Sequence, residues 1–178
     1  MNTTLIWPWP VRLAHGLLAA CVLGALWLHE GGALHQALGW CALTVAAMRI
    51  VAGWVAKPPP LRFAHFVHGP RATWAYARQA WRGLEARHLG HNPLGGWMIV
   101  ALLACAVLAG ASGALYDTDR FWGDPVVYSI HQVAGWAFAL LVPLHVAGVV
   151  FTSWRHRENL LAAMVTGHKR QAGPGDEA

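Results

Sequence analysis

The sequence is poor in charge. Asp, Glu, Lys and Arg together make up 12% of its 178 residues, while 56% are hydrophobic. A water-soluble domain carries roughly twice that share of charge, so the composition points to lipid as the solvent. Carboxylates are scarcest: the chain has eight Asp and Glu, and none falls in its long apolar stretches, Val11–Leu28, Leu34–Val55, Leu94–Leu115 and Val126–Thr152. A proton pump or cation carrier normally places a carboxylate along its path, so that class is disfavoured. Cysteine is limited to Cys21, Cys41 and Cys105, which lie far apart inside the stretches. The absence of any C-x-x-C-H excludes covalent c-type haem attachment.

Each apolar stretch reaches the ~20 residues that a helix needs to cross the hydrocarbon core. None alternates as a barrel strand would. The expected fold is an all-α membrane protein, a four-transmembrane-helix up-and-down bundle occupying residues 1–170. Gly31, Gly32 and Ala33 resemble a signal-peptide cleavage site, but Trp7, Trp9, Pro10 and the single Arg12 before the first stretch read better as the anchor of a retained helix.

The net charge of +5 is unevenly placed. Lys57, Arg62, Arg71, Arg78, Arg82 and Arg87 fall between the second and third stretches, and Arg155, Arg157, Lys169 and Arg170 follow the fourth. The other connections carry Glu30 in one, and Asp117, Asp119 and Asp124 beside Arg120 in the other. By the positive-inside rule both termini and the long second loop face the cytoplasm. The basic excess thus reflects topology and not nucleic-acid binding. Within that loop, Trp74, Ala77, Trp81 and Leu84 recur at helical spacing opposite Arg71, Arg78, Arg82 and Glu85. With Pro70 at its start, a segment over about 70–85 is expected to be an amphipathic helix on the membrane surface. Asn92-Pro93 supplies a cap and first-turn proline for the third helix. Trp154 to Val165 is expected to continue the fourth helix into the cytoplasm, and 171–178 has the composition of a disordered tail.

Of eleven histidines, His15, His35, His131 and His145 lie within the spans. Ionisable groups there call for a function, and neutral imidazoles without carboxylate partners suit metal ligation. His131 and His145 are 14 residues apart; at ~100° and 1.5 Å per residue they share a helix face to within about 40° and stand roughly 21 Å apart along the axis. That spacing suits two haems stacked across a bilayer. With the helices alternating in direction, the pairs at matched depth are His15–His145 on the cytoplasmic side and His35–His131 on the outer side. Small residues beside the ligands, Gly39, Gly135, Gly148 and Ala19, would let a flat porphyrin approach the backbone, although small residues serve any helix interface. His29 is the rival to His35, and His91 the rival on the inner side. Arg49, 14 residues after His35, sits at the depth of the inner pair, where it either meets a haem propionate or snorkels to the surface. The third helix reads as scaffold.

The chain resembles the bacterial cytochrome b561 family and the related b-type cytochrome subunits of membrane-bound nickel–iron hydrogenases. The matching residues are Arg12-x-x-His15, His35-x-x-x-Gly39 with Arg49, Gly90-His91-Asn92-Pro93-Leu94-Gly95-Gly96, His131, His145-Val-Ala-Gly148, Arg155-His-Arg-Glu-Asn159 and Met164-Val-Thr-Gly-His-Lys-Arg170. The resemblance implies two b haems in a multi-pass protein of the bacterial inner membrane, exchanging electrons with the quinone pool of a respiratory chain. It is compatible with a periplasmic partner such as a c-type cytochrome or a hydrogenase-like protein, and leaves a homodimer open. The alternative is a stand-alone oxidoreductase of the superoxide:quinone type acting at the outer haem.

Overall fold

The computed structural model describes residues 3–55 and 61–177. Lys57, counted with the basic loop, lies outside them. About 72% of the chain is helical. The elements run β1 (Thr3–Leu5), α1 (Trp9–Trp27), α2 (Ala33–Val55), α3 (Phe63–Phe66), α4 (Pro70–Arg82), α5 (Pro93–Tyr116), α6 (Pro125–Arg155), α7 (Leu160–Thr166) and β2 (His168–Arg170). Helices α1, α2, α5 and α6, of 19, 23, 24 and 31 residues, are long and apolar enough to cross a membrane. A helix satisfies its backbone internally, which is what a segment without water requires.

Local chemistry sets the helix starts. Pro70, Pro93 and Pro125 each open a helix, where the missing proline N–H costs no hydrogen bond. The Asn92 side chain accepts from the Gly95 N–H at 2.7 Å. Asp124 accepts from the N–H groups of Val126 and Val127 at 2.8 and 3.0 Å, placing a carboxylate at the positive end of α6.

By backbone contacts the chain divides into two compact units. One comprises Leu13–Val51 and Val100–Pro143. Many of its buried residues are small, Cys21, Ala42, Ala46, Cys105, Ala106 and Ala134 among them, beside Val22, Val45, Leu103 and Phe138. A Cβ on Gly110 would come within 2.7 Å of Leu43 Cβ, and one on Gly24 within 2.9 Å of Leu38 Cδ1. Small side chains let helices approach when there is no hydrophobic drive between them. Leu17, Leu23, Trp40, Met48, Leu108 and Trp136 are exposed, an apolar surface suited to lipid and not to water.

The other unit comprises the described parts of Met1–Arg12, Ala52–Ile99 and Leu144–Ala178. Phe66 is fully buried, and a Cβ on Gly96 would overlap its carbonyl oxygen. Trp97 Nε1 donates to the His68 carbonyl at 3.0 Å. Helix α4 buries Tyr76 and leaves Trp74 and Trp81 exposed, the latter at 92%. It ends at Gly83, whose φ of 73° is left-handed and open to glycine without strain.

Three features of this unit differ from the sequence reading. Helix α6 does not run on through Val165: it stops at Arg155, Arg157 takes a φ of 49°, and Asn159 caps a separate α7 by accepting from Ala162 N–H at 2.8 Å. The apolar composition of 160–165 carried the helical signal, while the Asn159 cap supplies the break. After Gly167, β2 pairs antiparallel with β1 in the register Thr3↔Arg170, Thr4↔Lys169, Leu5↔His168. Of the segment 171–178, read from composition as a disordered tail, Asp176 and Glu177 are hydrogen-bonded. Glu177 N–H donates to the Arg87 carbonyl and Leu89 N–H to the Glu177 carbonyl, both at 2.8 Å. Composition registers polarity but not that Asp176 and Glu177 have basic partners waiting in Arg87 and His88.

Candidate haem site

His35 lies in the first turn of α2 and His131 near the start of α6, both in the unit built from Leu13–Val51 and Val100–Pro143. Their ring centroids are 5.9 Å apart with planes at 69°. His35 Nδ1 is 3.1 Å from the Ala25 carbonyl oxygen, and His131 Nδ1 is 2.9 Å from that of Ala109. A carbonyl only accepts, so each Nδ1 carries the proton and donates. That fixes the tautomer and leaves Nε2 with its lone pair, the arrangement found in metal-ligating histidines. Ser112 Oγ, 3.4 Å from His131 Nδ1, stands on the same side of the ring.

Both rings line a cleft of about 420 Å³, with Gly39, Gly110, Gly113 and Tyr128 among its walls. A Cβ on Gly113 would lie 3.2 Å from His131 Cε1 and 3.3 Å from Nδ1, whereas one on Gly39 or Gly135 would meet nothing within 4 Å. The first glycine makes room for the ring; Gly39, on the cleft wall, leaves open space of the kind a flat macrocycle needs. Helix α5, expected to be scaffold, therefore takes part: Ala109, Ser112 and Gly113 all act on His131. Backbone carbonyls carry no sequence signal, and only the Ser112-Gly113 pair inside an apolar run hints at this role.

The donor set fits a haem. Two metal–imidazole bonds of about 2 Å each, plus about 1 Å from each nitrogen to its ring centre, span roughly 6 Å, close to the observed 5.9 Å. Among the described residues no three His, Cys, Asp or Glu side chains form a cage for a bare ion. A porphyrin brings its own equatorial nitrogens and asks the protein only for axial ligands.

The remaining candidates are distributed. His15 on α1 and half-buried Arg49 on α2 belong to the same unit as His35 and His131, and half-buried His145 on α6 belongs to the other. His29 borders the cleft, with Nδ1 3.3 Å from the Trp27 carbonyl. His91 packs between Trp7 and Phe66, at centroid distances of 4.7 and 4.8 Å. Glu30 and Asp117 also border the cleft, and Asp117 accepts from Gln36 Nε2 at 3.0 Å.

A second polar cluster, unforeseen in the sequence, lies in the unit that holds α4 and α7. Arg87 is buried. It donates through Nε and NH2 to the two oxygens of Glu158 at 3.1 and 2.6 Å, and through NH2 to the Arg170 carbonyl at 2.9 Å. Its NH1 pairs with Asp176. Burial pulls the Arg87 pKa down, but the two carboxylates outweigh it and raise it. Burial pushes Glu158 up, and the Arg87 hydrogen bond with the Lys169 charge brings it below the ordinary value.

Membrane-crossing helices with a cleft lined by two tautomer-fixed imidazoles give the chain the donor set of a membrane haem protein. Residues 6–167 match the family model of prokaryotic cytochrome b561, and the chain belongs to that family. No curated protein and no solved structure matches it. Membership makes it a multi-pass bacterial membrane protein that binds b-type haem and transfers electrons.

Proposed function

We propose that the protein is a di-haem cytochrome b that carries electrons across the bacterial inner membrane, between a periplasmic redox protein and the quinone pool. His35 and His131 hold the outer haem and His15 and His145 the inner one, with Arg49 beside an inner propionate. The observation that carries this reading is the His35–His131 pair, 5.9 Å apart with each Nδ1 tied to a carbonyl. When bound, a bis-imidazole haem supplies a one-electron couple with no open position on iron. The chain's part is to orient the ligands, fix their tautomers and keep the surroundings apolar, which together tune the potential. The basic second loop and C-terminal segment against the acidic outer connections support cytoplasmic termini.

The rim of the cleft favours a protein partner over superoxide. Glu30 and Asp117 stand there, and their charge repels a small anion while attracting a basic protein surface. The test is the visible spectrum and haem content of the purified protein. Two haems per chain with low-spin bands on dithionite reduction, reoxidised by a short-chain quinone, are expected; absent haem bands would overturn the reading.

A further inference from the structure

The unit that holds α4 contains two buried acids, and they are treated differently. Glu158, 8% exposed at its side chain, is locked: both oxygens are held by Arg87, and Oε1 also accepts from the Arg170 N–H at 3.0 Å. Glu85, 3% exposed, is half served. Oε1 accepts from Arg155 Nε at 2.9 Å, while Oε2 is buried with no hydrogen-bond partner among the described residues. A carboxylate offers about four acceptor sites, so Oε2 keeps acceptor capacity that no described residue uses. Arg155 passes so close to Gly83 that a Cβ there would overlap its guanidinium.

Tyr76 and His156 feel the charge of Glu85. Buried Tyr76 on α4 is pushed up to about 12 by burial and by the charges of Glu85 and Glu177. His156 is lowered by burial, against the pull of Glu85 and with the push of Arg87 and Arg155. His88 stacks edge-on to Tyr76 at 5.3 Å, lies 3.5 Å from a Glu177 oxygen, and is also lowered by burial. The His156 N–H donates to the Thr152 carbonyl at 3.0 Å, so His156 continues the turn of α6. It follows His145 by 11 residues, which places it on the same face to within about 20° and roughly 16 Å further along.

We propose that Glu85 is the proton-exchange group for the quinone reaction on the cytoplasmic side, loaded from water through partly exposed His156. This rests on the function proposed above. Converting one quinone to a quinol takes two electrons, which the periplasmic partner supplies one at a time, and two protons, which end on the two quinone oxygens. Glu85 passes each proton by holding it on Oε2, giving it up, and being recharged through His156; quinol oxidation runs the same path in reverse.

The test uses the haem-loaded protein in lipid nanodiscs, chemically reduced and then mixed either with a short-chain quinone or with ferricyanide, which takes an electron without a proton. In E85Q the amide oxygen still accepts from Arg155, so haem content and ferricyanide oxidation stay at wild-type levels. Oxidation of the protein by quinone slows by about ten-fold or more, and E85D restores most of it. A wild-type quinone rate in E85Q, or equal slowing with both oxidants, overturns the assignment. A wild-type protein that quinone does not oxidise overturns the quinone reading itself. Should E85Q hold less haem, H156Q with Glu85 intact answers the question by the same two-oxidant comparison.

Discussion

Gly113→Val is the most informative change away from the ligands themselves. In the structure even an alanine Cβ at this position would sit 3.2 Å from His131 Cε1 and 3.3 Å from Nδ1, inside the 3.4–4 Å of ordinary contact. The ring cannot retreat freely, because Nδ1 is tied to the Ala109 carbonyl at 2.9 Å. Alanine is absorbed by a shift of a few tenths of an ångström. Valine adds two methyls on the same side, and overpacking of this kind costs about 1–3 kcal/mol. Displacing the ring also gives up a hydrogen bond worth roughly 0.5–1.5 kcal/mol. With tenfold per 1.4 kcal/mol, the haem proposed at His35 and His131 should be held about ten- to a thousand-fold less tightly. Titrating haem into apoprotein of G113A and G113V, with the reduced spectrum as readout, measures this. The expected result is near-normal loading in G113A and one weakened site of two in G113V. Full loading of G113V with unchanged affinity and spectrum would refute the reasoning.

Arg87→Ala should destabilise the protein by about 3–5 kcal/mol. It strips Glu158 of two bonds and leaves Lys169 Nζ, 3.8 Å away, as its remaining ion-pair partner among the described residues; thermal unfolding in detergent measures the loss, and a change below about 1 kcal/mol would contradict the cluster's role. Acid should loosen the same region in two steps. His88 and His156 are held below the ordinary 6.5 by burial, so their neutral forms stabilise the fold above that value, and the contribution falls away as pH drops through the lowered ones. Asp176 and Glu158 are held below 3.8 and 4.5, so their contribution goes only at lower pH. The unfolding midpoint should therefore decline from about pH 6.5 downward and more steeply below about 4, and a midpoint that rises on acidification would refute this.

The spans were legible because lipid demands long uninterrupted apolar helices, and Leu34–Val55 or Val126–Thr152 can be little else. That His35 and His131 lie close together was legible because imidazoles are rare inside a span and alternating helices put these two at one depth. What holds them was not. The Ala25 and Ala109 carbonyls are backbone atoms present at every position, and Gly113 looks like any small residue of an apolar helix. The β1–β2 ladder joins Thr3 to Arg170, a pairing of three-residue strands too short to show a period. The Arg87 cluster escaped for another reason. A basic residue in a loop reads as topology, and only the fold reveals that Arg87 is buried against Glu158 and Asp176.

The most direct measurement is the haem content of single alanine replacements, by reduced-minus-oxidised spectra on purified protein. H131A and H35A should each leave one haem per chain with the same residual spectrum, since under the proposed ligation both remove a ligand of one site. H145A should leave the other. Two haems in H131A, or different residual spectra for H131A and H35A, would contradict the account.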